Sequence, residues 1–132
     1  MRHPGRLVVI LALALGCTSC ATPQVSYPEF SREQTAADLP QALAESGDGS
    51  VDLATVRHVG DVDGYDVYLA RGREAENTIC VAIVKDGEWE STGCGGNGVT
   101  VTTRSGAKVE AGGIRTGEDE ENALSDSVRV VG

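Results

Sequence analysis

The chain is poor in positive charge and in aromatic side chains. It carries 11 basic residues against 20 acidic ones, a net charge of −9, and aromatics make up 4% of its 132 residues. A nucleic-acid-binding protein presents a basic face to the phosphates, so this balance argues against nucleic acid as a partner. The length allows one small domain and excludes two.

The chain also lacks an apolar run long enough to cross a bilayer, which takes about 20 residues. Residues 7–15 are uninterruptedly apolar, stand behind Arg2 and Arg6, and are followed by small residues. A basic start, a short apolar stretch and small residues at its end are typical of a secretory signal peptide. We therefore expect residues 1–16 to direct export and to be removed.

Three processing sites follow this run. Residues 14–17 (Ala-Leu-Gly-Cys) resemble a bacterial lipobox, in which a small residue precedes a cysteine that receives diacylglycerol. Cys17 is the predicted lipidated residue, Cys20 is the alternative, and cleavage after Ala21 without a lipid is the third possibility. The place of Cys17 directly behind the apolar run supports Cys17 as the lipidated residue. The number of cysteines supports the later sites, because lipidation of Cys17 leaves three other cysteines and therefore one without a disulfide partner. A diacylglyceryl thioether and an N-acyl chain such as palmitate give the several chains that stable anchoring needs.

The composition divides the rest of the chain into two parts. Residues 17–30 hold the cysteine to be lipidated and a polar stretch with two prolines, which predicts a flexible tether. Residues 31–132 are predicted to form a single extracytoplasmic β-rich domain. Its first segment predicts a short helix, in which Asp38 is the N-cap and Pro40 lies in the first turn.

Short apolar–polar alternations separated by turn residues begin at Val51. About six such strands predict a mainly β (small α+β) fold, built as an antiparallel sheet, sandwich or barrel. Residues 79–84 are apolar on both faces and predict a central strand, and Asp86-Gly87 predicts a hairpin turn into the next strand. On that next strand we expect Trp89 to face inward and Glu88 and Glu90 to face solvent. The glycine-rich residues 93–98 are interpreted as a flexible loop.

Cys80 and Cys94 are predicted to form a disulfide. Counted back from the turn at Asp86-Gly87, they lie nearly opposite each other in the hairpin, depending on a one-residue bulge. An exported domain meets the oxidising conditions in which such a bond persists.

Groups able to perform chemistry are scarce. Once His3 leaves with the signal peptide, His58 is the single imidazole of the mature chain, and no Gly-x-Ser-x-Gly motif accompanies it. A small hydrolase centred on His58 is therefore an alternative hypothesis, and the main expectation is that the protein is not an enzyme.

Acidic residues offer a second alternative, a divalent-cation-binding envelope protein. Residues 61–66 (Asp-Val-Asp-Gly-Tyr-Asp) start like a calcium loop but put glycine fourth, where an EF-hand has it sixth. Residues 118–121 are four successive acids, which most simply form a solvated loop. We expect no metal site and no cofactor.

Six short strings resemble those of one kind of protein: residues 38–40 (Asp-Leu-Pro), 55–57 (Thr-Val-Arg) with Gly60, 63–64 (Asp-Gly) before 67–70 (Val-Tyr-Leu-Ala), 79–81 (Ile-Cys-Val), 93–94 (Gly-Cys) and 123–128 (Ala-Leu-Ser-Asp-Ser-Val). In these strings the chain resembles small uncharacterised actinobacterial lipoproteins. The resemblance implies a lipid-anchored domain with paired cysteines on the extracytoplasmic face of the cell membrane, and it implies no particular activity. We expect a binding or accessory domain whose partners are the membrane, through the anchor, and an envelope protein or ligand.

Overall fold

Seven β-strands dominate the part of the chain that the structure describes. The structure is a computed structural model, and it describes residues 26–46, 49–75, 77–113 and 122–131. Its strands are β1 (Arg57–Val62), β2 (Tyr65–Arg71), β3 (Ile79–Lys85), β4 (Glu88–Gly95), β5 (Gly98–Thr102), β6 (Lys108–Gly112) and β7 (Val128–Val131). Its helical elements are α1 (Gln41–Ser46) and the 3-10 turns Pro28–Ser31, Ala36–Asp38 and Leu53–Thr55. The predicted mainly β fold with a short preceding helix is confirmed.

The strands form two antiparallel meanders, a four-stranded sheet β1-β2-β3-β4 and a three-stranded sheet β5-β6-β7. Two Asp-Gly turns set the register of the first sheet. Asp63 and Gly64 have φ of 50° and 79°, and Asp86 and Gly87 have φ of 51° and 77°. Positive φ at both central residues is the requirement of the type I′ turn, which Asp-Gly satisfies at low cost. Both hairpins are therefore encoded locally, and the turn at Asp86-Gly87 lies where the sequence predicts it.

The main core lies between the two sheets. It is formed by alternate residues of β2 and β3, which meet the inner residues of β5, β6 and β7. The buried members are Tyr27, Tyr65, Val67, Leu69, Ile79, Val81, Ile83, Val101, Val109, Ala111 and Val128. This alternation makes the fold a β-sandwich.

A second core covers the opposite face of the four-stranded sheet. Leu43 of α1 packs there with Val51 and Val56, and the sheet contributes Tyr68, Ala70, Cys80, Ala82 and Val84. Strand β3 is consequently buried on both faces, which explains why residues 79–84 have no polar alternation. The described chain thus has three layers, α1 on the first sheet and the first sheet on the second.

The glycine-rich residues 93–98 are not the flexible loop expected from composition. They end β4, make a tight corner and begin β5. A Cβ on Gly93 would lie 2.7 Å from Val101 Cγ2, and one on Gly95 would lie 2.2 Å from the Gly98 carbonyl oxygen. These glycines are needed because two strands approach each other closely where the chain passes from one sheet to the other.

Residues 27–30, the described end of the segment predicted to be a flexible tether, pack against the domain. Tyr27 is buried in the main core, and Phe30 packs at its margin. Glu29 accepts hydrogen bonds from the Ser125 hydroxyl, the Ser127 amide and the Ser127 hydroxyl at 2.7, 2.7 and 2.9 Å. The packed domain therefore includes residues 27–30, which composition assigned to the tether.

Candidate functional site

The most densely bonded polar group in the described chain is the carboxylate of Asp38, whose residue is 2% exposed. The Arg32 guanidinium donates to both of its oxygens at 2.6 Å. The Thr35 amide donates to Oδ2 at 2.7 Å, and the His58 amide donates to Oδ1 at 2.9 Å. These donors, the Arg32 guanidinium first, hold the pKa of Asp38 well below its usual value in spite of burial.

The prediction that Asp38 caps the following helix is wrong. Its side chain turns back to Thr35, in the 3-10 turn that it ends, and across to strand β1. The first backbone bonds of α1, from the amides of Leu43 and Ala44, go to the carbonyl oxygen of Pro40, so Pro40 is the residue that directly precedes the helix. Asp38 thus joins the segment before α1 to the sheet, and its contacts with distant residues could not be derived from helix-capping patterns.

A second buried charge, Arg57, supports the same junction. Its guanidinium donates to the carbonyl oxygen of Arg32 through Nε at 3.2 Å and Nη2 at 3.0 Å. Nη1 donates to the carbonyl oxygens of Ala54 and Val56 at 3.2 and 2.9 Å. Burying a guanidinium requires such satisfied donors, and here they fix the N-terminal segment against β1.

His58 lies on the α1 side of the first sheet, directly opposite Tyr68 in the register. Its Nε2 is 3.2 Å from Asp66 Oδ1, and its ring meets the Tyr68 ring edge-on with centroids 5.1 Å apart. Burial, then the charges of Asp66 and Asp38, raise the pKa of the Tyr68 phenol, which therefore stays protonated at neutral pH. The site is thus an imidazole held between a carboxylate and a neutral phenol.

This arrangement contains a base and an orienting carboxylate but lacks a contacting nucleophile. Within the described residues, the ring hydrogen bond of His58 ends at Asp66. The hydroxyl of Thr35, on the neighbouring segment that Asp38 joins to β1, donates to Asp38 at 3.1 Å. Nucleophilic catalysis needs the hydroxyl or thiol within hydrogen-bond reach of the base. The described geometry therefore gives His58 an acid–base partner and no group to activate.

The structure brings Cys80 and Cys94 together as a disulfide between paired positions of β3 and β4, with their Cα atoms 4.1 Å apart. The bulge on which the predicted pairing depended is present between Ile83 and Val84, where Glu90 is the additional residue of β4. The predicted disulfide is confirmed.

The same bulge changes the direction of Glu90, which the sequence predicted to face solvent. Its side chain is 14% exposed and its Oε1 pairs with Arg104 Nε at 3.1 Å. Glu88 is exposed as expected, and Trp89 packs at the margin of the second core. The alternation prediction failed at one residue because a bulge interrupts the two-residue period.

Of the two acidic segments, residues 61–66 are described by the structure and residues 118–121 are not. Among the described residues, no three His, Cys, Asp or Glu side chains come together in a way that could hold a metal ion. Residues 61–66 form the hairpin between β1 and β2, where the Asp63 carboxylate accepts a hydrogen bond from Ser105 at 2.9 Å. The run 118–121 lies outside the described residues.

The signal peptide, Cys17, Cys20 and Ala21 also lie outside the described residues. Within the described ranges, no helix has both the length and the apolar character needed to cross a membrane. Comparison of the chain with protein-family models, curated proteins and solved structures gives no match.

Proposed function

We propose that the protein is exported and held by a lipid on the extracytoplasmic face of the cell membrane, where its β domain acts in binding or as an accessory of the envelope. The observation that carries this proposal is the leader: two arginines, the apolar residues 7–15 and the lipobox-like residues 14–17. The resemblance to small actinobacterial lipoproteins supports the same assignment.

The disulfide adds independent support. A Cys80–Cys94 bond in a domain of this size fits an oxidising compartment, because cytosolic thiols are kept reduced. It also accounts for two of the four cysteines, which leaves Cys17 and Cys20 for processing. With Cys17 acylated, Cys20 would remain in the mature chain next to the anchor.

The anchor would keep the domain near the membrane surface. Tyr27 is the first core residue, and the ten residues before it can span at most about 35 Å of extended chain. A partner of the domain would therefore belong to the envelope or reach the membrane surface. This distance favours an accessory role beside other envelope components.

The proposal is tested by metabolic labelling with palmitate in the native host, using the Cys17→Ala and Cys20→Ala variants of the full chain. We expect Cys17→Ala to lose the label and to leave the membrane fraction, and Cys20→Ala to keep both. Loss of label only in Cys20→Ala would move the anchor to Cys20. Unlabelled wild-type protein in the medium would contradict the anchor and favour cleavage after Ala21.

The second candidate function is a small hydrolase using His58, and the contact between His58 Nε2 and Asp66 Oδ1 is the observation that favours it. The His58→Gln variant separates the two functions, with Thr100→Ala, a change at an exposed residue of β5, as a control for a polar change elsewhere. Hydrolysis of ester or peptide substrates that disappears only in His58→Gln would support the hydrolase. Equal rates in both variants and the wild type would exclude His58 catalysis.

A further inference from the structure

The two sulfurs of the disulfide have very different surroundings. Cys80 has no exposed surface and belongs to the second core with Ala70 and Ala82. Cys94 is exposed, on the strand that ends the four-stranded sheet. One sulfur of the bond is therefore presented to solvent and the other is enclosed.

A surface groove opens beside the exposed sulfur. We call it the Cys94 groove, and its lining includes Ser50, Gly72, Arg73, Ala75, Thr78 and Cys94. The Ser50 hydroxyl lies 3.9 Å from Cys94 Sγ, within reach of a weak O–H···S hydrogen bond. The groove gives a second chain a polar docking surface beside this sulfur.

The register decides from which side a thiolate can attack. Exchange requires the incoming sulfur to approach nearly in line with the bond that breaks. An approach to Cys80 along that line would come from β2, where the buried Ala70 is its paired residue. An approach to Cys94 comes from the outer side of β4, on which no further strand of the described sheet lies.

We propose that Cys94 is the exchange sulfur of this protein, the atom at which a dithiol oxidoreductase forms a mixed disulfide with it: the partner docks on the Cys94 groove, and its thiolate reaches Cys94 from the uncovered outer side of β4. The partner thiolate bonds to Cys94 Sγ, the Cys80–Cys94 bond breaks, and Cys80 leaves with the electron pair and takes a proton. The second partner thiolate then displaces Cys94, so that the partner becomes a disulfide and this chain gains two electrons and two protons.

The same geometry governs formation of the bond. By microscopic reversibility, the Cys94 thiolate attacks an oxidised partner first, and Cys80 resolves the mixed disulfide. Release of Cys80 as an anion into an apolar cluster is unfavourable, because it loses hydration there. Small thiols should therefore reduce the bond slowly, and a docked partner should be needed for rapid exchange. This proposal goes beyond the lipid anchor and does not depend on it.

The test treats the oxidised full chain with reduced glutathione in native buffer, followed by acid quenching, alkylation and tryptic mass spectrometry. Cleavage after Arg73, Lys85 and Arg104 separates Cys80 in residues 74–85 from Cys94 in residues 86–104. We expect glutathione on Cys94 to exceed that on Cys80 at least about tenfold, because Cys80 is reached only by local opening. In concentrated urea the two sites should become comparable. Equal labelling in native buffer, or an excess on Cys80, would overturn the proposal.

Two further variants test the groove without altering either sulfur. Ala75→Trp places a large side chain in the Cys94 groove, and Ala123→Trp places one in a separate exposed groove beside Pro28. With a thioredoxin-type dithiol protein as the probe, we expect Ala75→Trp alone to slow reduction several-fold. Both variants should keep the wild-type melting temperature. Equal rates in the two variants would rule out docking on this groove.

Discussion

The Asp38 carboxylate accepts a hydrogen bond from the main-chain amide of His58 at 2.9 Å, at the outer edge of strand β1. Arg32, which is paired with Asp38, extends Nη2 to within 3.4 Å of the His58 carbonyl oxygen. Side chains thus occupy both backbone groups that an added strand would use at this position. An occupied edge resists pairing with other chains, which would matter for a domain that the proposed anchor concentrates at a membrane surface.

Asp38→Asn should destabilise the domain by about 2–3 kcal/mol, because it removes one partner of a buried, charge-assisted network and leaves donors unpaired. Glu33→Gln, a charge-neutralising change at an exposed residue close by, serves as the matched control and should change stability by less than about 0.5 kcal/mol. Urea unfolding followed by tryptophan fluorescence measures both. Equal midpoints for the two variants would show that the Asp38 junction contributes nothing.

Acid should weaken the fold through Asp38 and Glu29. Hydrogen bonds from Ser125 and Ser127 outweigh the opposing effect of burial and lower the pKa of Glu29 below its ordinary 4.5, and the pKa of Asp38 lies below its ordinary 3.8. Carboxylates with depressed folded-state pKa values stabilise the fold above the unfolded values and lose that contribution as pH falls. The urea midpoint should therefore be level above about pH 5 and fall steadily toward pH 2.

Asp38→Asn provides the check on this acid sensitivity, because it should flatten the pH dependence while lowering the plateau. A wild-type midpoint at pH 3 equal to that at pH 7 would contradict the assignment. A variant with an unchanged slope would contradict the part assigned to Asp38.

Gly95→Ala should be strongly destabilising and Gly96→Ala nearly neutral, although the two glycines are adjacent. A Cβ on Gly95 would collide with the Gly98 backbone at 2.2 Å, whereas a Cβ on Gly96 meets no atom within 4 Å. Forcing a methyl group into a packed site costs about 1–3 kcal/mol. Thermal melts of the pair measure the difference, and identical melting temperatures would mean that the β4–β5 corner is looser than described.

Removal of the disulfide in the Cys80→Ala/Cys94→Ala double variant should lower stability by about 3 kcal/mol in the chain-entropy model, given a sequence separation of 14 residues. Wild-type protein with its disulfide reduced should show a similar loss. Urea unfolding of the three forms gives the comparison. A double variant as stable as the oxidised wild type would exclude a stabilising role for the bond.

A local signal in the sequence was sufficient for the second hairpin. Asp63-Gly64 and Asp86-Gly87 define their turns with two residues each, and the disulfide followed by counting from the second turn. The Asp38 junction was not predictable in this way, because His58 is 20 residues distant along the chain and is brought near by the sheet.

The glycines at the β4–β5 corner were misinterpreted for a related reason. Flexibility and close approach both select glycine, and only the packing of Gly93 against Val101 distinguishes between them. Glu90 likewise could not be oriented from alternation, because a bulge shifts the period after Trp89. Contacts between distant segments and single-residue irregularities were therefore outside what local patterns encode.

The intact mass of the native protein, extracted from the membrane of its host, tests the central claim most directly. We expect a chain that begins at Cys17, carries diacylglyceryl and N-acyl groups there, and is two hydrogens lighter for the Cys80–Cys94 bond. A polypeptide recovered from the cytosol with Met1 in place and four titratable thiols would contradict it.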